Sequence, residues 1–494
     1  MPSGILPQSL WLLVSAWVLP TWVQAQTSVT KSLPLNVPIP LSSSNFSGTN
    51  PLLFALPDPT SAHTLWVSIA RCSSSQSAAQ FFVTNSSAVA TPGPDGGTDV
   101  FQIDVGSHGF GNWAGPIEPG AGKLAIWGAG ASDTVQVGAS DRGAFAHLPQ
   151  HVDTLPFLGD TTSNVAILYS FPSDPPTVLQ PTYPNYTLPD ADTPFPAPPP
   201  NPQRHTLVLS PTSAALANGT QTACALLAAV DPKTNGSIAQ TQLWLRNEEG
   251  WRTEWVVQGL APQTNYTVYT VQNGVNVSGP IYFSTKSVVF SCSLLHGLPY
   301  CPSVSYSVPL PPPARGQPAH DSTTLPKTIT EPLLSYLTNF TTSLLTFACG
   351  RDLYSPVQSC ADCQRAYRKW LCSVSFPRCG EFSTATTAGT TEDGAQSVFA
   401  ALRPQTSAAA PRNPHFPPFQ NAYSALLPCI ETCTAVDRAC PDFMGFQCPV
   451  PAFNANQSYG VGYIDGGVGH EDERKGGSVG GAQDRWGNVW CSGS

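Results

Sequence analysis

The sequence is short of charge, of long apolar runs and of catalytic signatures. Only 11% of its 494 residues are Asp, Glu, Lys or Arg, and the net charge of −9 comes without any basic stripe. Nucleic acid and anionic membrane surfaces are therefore poor partners. Methionine is scarce, with 2 residues, whereas 51 prolines and 40 glycines abound. Strands, turns and extended linkers are expected in place of long surface helices. After the N-terminal segment no stretch reaches about 18 apolar residues, the length a helical membrane span requires. The tail, Trp490-Cys491-Ser492-Gly493-Ser494, lacks the hydrophobic segment of a lipid-anchor signal. There is no His-Glu-x-x-His and no phosphate-cradling Gly-rich loop, and the nine histidines are scattered. The chain reads as a non-enzyme that needs no cofactor.

What is present points to the secretory pathway. An apolar run interrupted by Pro20 leads to Val23-Gln24-Ala25, a small-residue cleavage site, so residues 1–25 read as a signal peptide, with an uncleaved anchor as the alternative. Nine Asn-x-Ser/Thr sequons, at Asn45, Asn85, Asn185, Asn218, Asn235, Asn265, Asn276, Asn339 and Asn456, are candidate glycosylation sites. Fourteen cysteines, an even number, read as disulfides in an oxidising compartment. Cys360-x2-Cys363 could suggest zinc in a cytosolic protein, but one lone pair behind a signal peptide favours disulfides, and no metal site is expected. Asp465 and Glu471-Asp472-Glu473 lack the alternating ligands of a calcium loop.

Along the chain, residues 26–50 are Ser/Thr/Pro-rich. Short strand-like runs at 64–70, 81–84, 100–105, 123–127, 134–137 and 165–169 are separated by turn residues, which predicts a β-sandwich over 51–170. Gly109-Phe110-Gly111-Asn112-Trp113 within it reads as a turn packed under its own aromatics, or as a binding loop. Between Pro172 and Pro202 there are 12 prolines in 31 residues, so 171–204 is expected to be a semi-rigid Pro-rich linker. Residues 205–290 predict a second all-β sandwich. Its segment Leu260-Ala261-Pro262-Gln263-Thr264-Asn265-Tyr266 is similar to the corner before strand F of a fibronectin type III module, where a Tyr hydroxyl ties back to upstream backbone.

Twelve of the 14 cysteines follow: Cys292, Cys301, Cys349, Cys360, Cys363, Cys372, Cys379, Cys429, Cys433, Cys440, Cys448 and Cys491. Cys72 and Cys224 remain in the two sandwiches, able to pair with each other or stay separate; sequence alone does not fix connectivity. Helical spacing is expected over 332–347, 360–372 and 428–440. Residues 291–494 are therefore expected to form a disulfide-rich, mainly helical domain with a flexible insertion at 380–427, and the 460–481 stretch reads as a loop. Five cysteines in 31 residues, 349–379, staple that domain at its centre. Such stapling makes a rigid recognition surface, though small Cys-rich domains need staples whatever they do. Arg351, Tyr354, Arg365, Arg368, Lys369, Trp370 and Arg378 are the candidate partner-binding residues; a solvated helix face is the alternative for the basic ones.

The Cys-rich half resembles the fungal stretch-activated calcium-channel regulatory subunit family. The resemblance is carried by Tyr354-Ser355 through Pro377-Arg378-Cys379, Pro428-Cys429, Cys433, Arg438-Ala439-Cys440-Pro441, Gly445-Phe446-Gln447-Cys448-Pro449 and Ser458-Tyr459-Gly460, with Cys292 and Cys301 upstream. It implies a glycosylated auxiliary subunit with a Frizzled-like cysteine-rich domain, at the extracellular face of the plasma membrane. The implied partner is the pore-forming subunit of a four-repeat voltage-gated-type calcium channel. Family members have been described as integral membrane proteins, whereas no span follows the signal here, so membrane association through that partner is expected. A secreted cell-surface module binding glycan or a lipid ligand is the alternative.

Overall fold

The computed structural model describes residues 31–46, 51–59, 64–73, 78–130, 132–145, 154–176, 182–192, 196–214, 220–229, 236–314, 316–381, 402–450, 454–460 and 491–493. The expected signal peptide and the loop expected over 460–481 lie outside these residues, apart from Gly460.

The first unit is a sandwich of nine strands: β1 (Lys31–Ser32), β2 (Ile39–Leu41), β3 (Leu52–Ala55), β4 (Thr64–Arg71), β5 (Gln80–Thr84), β6 (Val100–Ile103), β7 (Phe110–Pro116), β8 (Lys123–Trp127) and β9 (Val135–Ser140). One sheet has the order β1-β3-β8-β5-β6 and the other β2-β9-β4-β7. A four-residue helix, α1 (Ser43–Phe46), follows β2. Alternation places Leu65, Val67 and Ile69 of β4 inward against Leu124 and Ile126 of β8, and these form the core.

The second unit contains β10 (Phe157–Thr161), β11 (Val165–Tyr169), β12 (His205–Pro211), β13 (Ser237–Trp244), β14 (Arg252–Gln258), β15 (Asn265–Gln272) and β16 (Asn276–Ser284), with the short helix α2 (Ala223–Ala228). The sheets run β10-β11-β14-β13 and β12-β15-β16. In letters this is A-B-E-D over C-F-G, the seven-strand connectivity of immunoglobulin-like sandwiches. The Tyr266 hydroxyl accepts the backbone N–H of Ala261 at 2.8 Å, and its ring stacks on Phe283.

This topology changes the role of the Pro-rich segment. The strands before it, β10 and β11, were expected in the first sandwich but pair with β14 of the second. Both ends of 171–204 therefore join one sandwich, and the segment is its B–C loop, drawn out into an arm. The arm leaves the sandwich and inserts Leu188 among Phe340, Leu344, Cys349, Cys360 and Cys363 of the Cys-rich unit.

The third unit holds α3 (Lys327–Leu344), α4 (Cys360–Ser375) and α5 (Ile430–Ala439), but also β17 (Ser293–Leu295), β18 (Tyr306–Val308), β19 (Arg378–Gly380), β20 (Leu402–Gln405) and β21 (Tyr423–Leu426). The expectation of a mainly helical, Frizzled-like domain is corrected: the structure is 32% strand and 16% helix, and this unit carries a β17–β18 ribbon and a β19-β21-β20 sheet. Two of these strands lie inside 380–427, the expected insertion. Their partners are distant in sequence, so local composition does not reveal them.

Seven disulfides pair Cys72–Cys224, Cys292–Cys379, Cys301–Cys372, Cys349–Cys360, Cys363–Cys440, Cys429–Cys491 and Cys433–Cys448. None joins the second sandwich to the Cys-rich unit. Buried polar networks do so instead. Asp160 of β10 accepts from Lys286 Nζ (2.8 Å) and from the Ser307 hydroxyl (2.6 Å) and backbone (3.0 Å), with Arg378 Nε at 3.5 Å. Burial pushes the Asp160 carboxyl up, but Lys286 and Arg378 outweigh it and hold the group well below the usual carboxylate range. Nearby, Glu254 accepts from Tyr169, Gln242 and His296 at 2.5, 2.7 and 2.6 Å.

A stapled loop as candidate docking surface

Helix α4 begins where sequence spacing expects, because Ser359 and Asp362 form a capping box: the Ser359 N–H donates to Asp362 Oδ2 at 2.7 Å and the Asp362 N–H to Ser359 Oγ at 3.3 Å. Its inward face is fixed to α3 by the Phe340–Tyr367 ring stack and to the end of α5 by Cys363–Cys440. The segment between α3 and α4 is closed by Cys349–Cys360. Inside that loop the Tyr354 hydroxyl lies 2.7 Å from the Ser359 carbonyl and 2.8 Å from that of Ala439, sharing its one proton between them. Burial, with Asp362 nearby, pushes this phenol up to about 12, so it stays a donor. Gly350 has φ +84°, and a Cβ there would stand 2.6 Å from the Tyr186 ring of the arm.

The result is a loop braced from within that presents Leu353 and Val357 outward beside the exposed Arg351–Asp352 pair. Leu353 is 84% exposed and Val357 79%. Phe443, just beyond α5, is 54% exposed and lies 6.2 Å, ring to ring, from Phe347, which in turn meets Tyr354 edge-on. From the arm, Tyr183 stacks beneath the Arg351 guanidinium. Three separate segments thus converge on one surface.

The sequence-predicted residues divide sharply. Arg351 is exposed at this surface but pairs with Asp352 at 2.6 Å, and Tyr354 braces it from beneath. Arg365 and Lys369 are exposed on α4; Arg365 pairs with Glu248 of the second sandwich and with Asp362. Trp370 is half-buried, its Nε1 donating to the Tyr459 hydroxyl at 2.8 Å and its ring meeting Phe446 edge-on. Arg368 and Arg378 are buried, and neither is available to a partner. Arg368 donates to the carbonyls of Asp190 (3.0 Å), Ala191 (2.5 Å) and Tyr300 (3.1 Å), clamping the arm; burial lowers it to about 10, so it remains charged. Arg378 donates to the Gly159 carbonyl at 3.1 Å beside Asp160. Leu353, Val357, Phe443 and Tyr183 were missed. A pair of aliphatics inside a cysteine-closed interval was the one signal available.

Among the sequons, Asn185, Asn265 and Asn339 are exposed and Asn45, Asn85 and Asn276 half-buried; Asn218 and Asn235 lie outside the described residues, and Asn456 sits in a short 3-10 turn. Cys429, Glu431 and Cys491 lie close together, but both sulfurs are joined in a disulfide and offer no thiolate. Among the described residues no helix is long and apolar enough to cross a membrane.

Comparison with known proteins concerns the chain as a whole. Residues 71–473 match the Mid1 family, described as "Stretch-activated Ca2+-permeable channel component". The stretch-activated cation channel MID1 of Cryptococcus neoformans var. grubii is 36% identical over 443 residues, covering 78% of this chain and 69% of that protein. MID1 of Saccharomyces cerevisiae is 31% identical over 206 residues, covering 39% and 34%, and yam8 of Schizosaccharomyces pombe 26% over 217, covering 42% and 41%. These relatives are named as channel components rather than enzymes. The pre-peptidase C-terminal domain of a Bacillus anthracis collagenase aligns at a TM-score of 0.17 with 10% identity, over 22% of this chain and 93% of that domain, too low to bear on the fold. With most of its length matched, the chain belongs to the family of stretch-activated Ca2+-permeable channel components.

Proposed function

We propose that this protein is a non-enzymatic extracellular auxiliary subunit of a plasma-membrane calcium channel. It supports calcium influx by binding the four-repeat pore-forming subunit, and associates with the membrane through that partner. The observation that carries the docking site is the exposure of Leu353 and Val357 on a loop fixed by Cys349–Cys360. Burying an aliphatic side chain yields about 1.5–3 kcal/mol, and a loop already held in place loses little freedom on docking. The contact is therefore apolar at its centre. Arg351 and Arg365 already have carboxylate partners, so they orient the rim and do not drive association.

The test is purification of the tagged full chain from its own cells in mild detergent, with mass spectrometry of what accompanies it. Stoichiometric recovery of a very large four-repeat channel polypeptide is expected. Recovery alone, or with wall polysaccharide, would replace this reading with that of a secreted binder.

A further inference from the structure

Among the described residues, the two sandwiches meet through hydrogen bonds, the packing of Phe110 and a disulfide. Cys72, directly after β4, is bonded to Cys224 in α2, 152 residues away. Around that bridge, residues 220–224 of the second sandwich fit against the first. The Thr222 hydroxyl caps α2 by accepting from Ala225 N–H at 3.3 Å and donates to the Arg71 carbonyl at 2.5 Å. The Gln221 N–H donates to the His108 carbonyl at 3.1 Å and the Thr220 hydroxyl to that of Ser73 at 3.3 Å. Gly109, at φ +86°, leaves room for Thr220: a Cβ there would stand 2.3 Å from its methyl. Phe110 then packs against the cluster of Val208, Leu226, Tyr269 and Val277 in the second sandwich.

Without the bridge, the packing of Phe110 and the hydrogen bonds of residues 220–222 would leave the two sandwiches able to move relative to each other, as small inter-domain interfaces do. With it, the contact is locked. At its other end the second sandwich grips the Cys-rich unit through the Asp160 and Glu254 networks and the arm held by Arg368. Neither joint depends on a single chain crossing.

We infer that the Cys72–Cys224 clasp makes the N-terminal sandwich a rigid lever, so that a load applied to it reaches the docking loop instead of being absorbed in a flexible tether. The calcium part of this inference rests on the channel-subunit reading; the rigidity does not.

Small-angle scattering of the purified full chain tests the rigidity. Cys72→Ser/Cys224→Ser, folded by circular dichroism, is expected to show a larger radius of gyration and a broader distance distribution than wild type. Unchanged scattering overturns the inference. Because that variant could fail to be secreted, Phe110→Ala/Thr222→Ala is measured alongside with the bridge intact. It is expected to scatter as wild type, and an expanded profile would show that the bridge does not set the coupling. In cells, the cysteine-pair variant should lose the swelling-evoked calcium rise while still recovering the channel polypeptide. A retained rise refutes the lever. Failure of wild type to recover the channel refutes the subunit reading and leaves the scattering result standing.

Discussion

Arg368→Ala is the sharpest test of how the arm is held. The Arg368 side chain is 6% exposed and donates to three carbonyls, two from the arm and one, Tyr300, from the turn before Cys301. Charge-assisted hydrogen bonds contribute about 1.5–3 kcal/mol each. Three bonds from one guanidinium do not simply add, and losing a buried cation relieves part of its desolvation cost. The net loss is about 3–4 kcal/mol, a large share of the roughly 5–15 kcal/mol that stabilises a typical domain. Arg368→Lys keeps the charge but cannot fork to three acceptors and should lose about 1–2 kcal/mol. Arg368→Glu would face carbonyls with an acceptor-only carboxylate and should not be secreted. The assay is urea denaturation of the purified chain, with limited proteolysis of 182–202. The reasoning is refuted if Arg368→Ala lies within 0.5 kcal/mol of wild type, the range usual for surface substitutions, with the arm still protease-resistant.

Other expectations follow from the same structure. His205 meets Phe171 edge-on and burial lowers it to about 4, against the opposing pull of Asp174. The unfolded chain binds the proton first, so stability present above about pH 6.5 is lost as pH falls towards 4. That loss is on the order of 3 kcal/mol, and thermal unfolding of His205→Gln should lack it. Asp160→Asn strands Lys286 and Arg378 without their buried counter-charge and should cost about 3–5 kcal/mol by chemical denaturation. The wild-type carboxylate, depressed in the folded state, stabilises above its unfolded pKa near 4, and that contribution fades as pH falls below it. Cys349→Ser/Cys360→Ser opens an 11-residue loop, which should cost about 3 kcal/mol in denaturation and weaken recovery of the partner.

Much of this fold is legible because it is locally encoded. Strands 123–127 and 165–169 are short apolar runs bounded by turn residues, and α4 carries both its cap and its apolar spacing in sequence. What escaped reading is set by distant partners. The Pro-rich arm looks like a linker because composition reports its stiffness and not where its two ends are anchored. Arg368 looks like a surface cation because its acceptors lie 177 and 178 residues upstream. The sheet of β19, β21 and β20 is hidden in a Pro/Ala/Ser-rich stretch whose strands are stabilised by pairing rather than propensity. The candidate docking surface was only half legible: Arg351 and Tyr354 mark its loop, but Tyr183 and Phe443 arrive from elsewhere in the chain.

The central claim, that the loop closed by Cys349 and Cys360 docks the channel, is tested most directly by Leu353→Asp/Val357→Asp. Both side chains are exposed, so secretion and urea midpoint should match wild type within about 0.5 kcal/mol. Recovery of the pore polypeptide in mild detergent should fall at least about tenfold, corresponding to about 1.4 kcal/mol. Undiminished recovery by a stable, secreted double variant would contradict the claim and move the interface elsewhere on the protein.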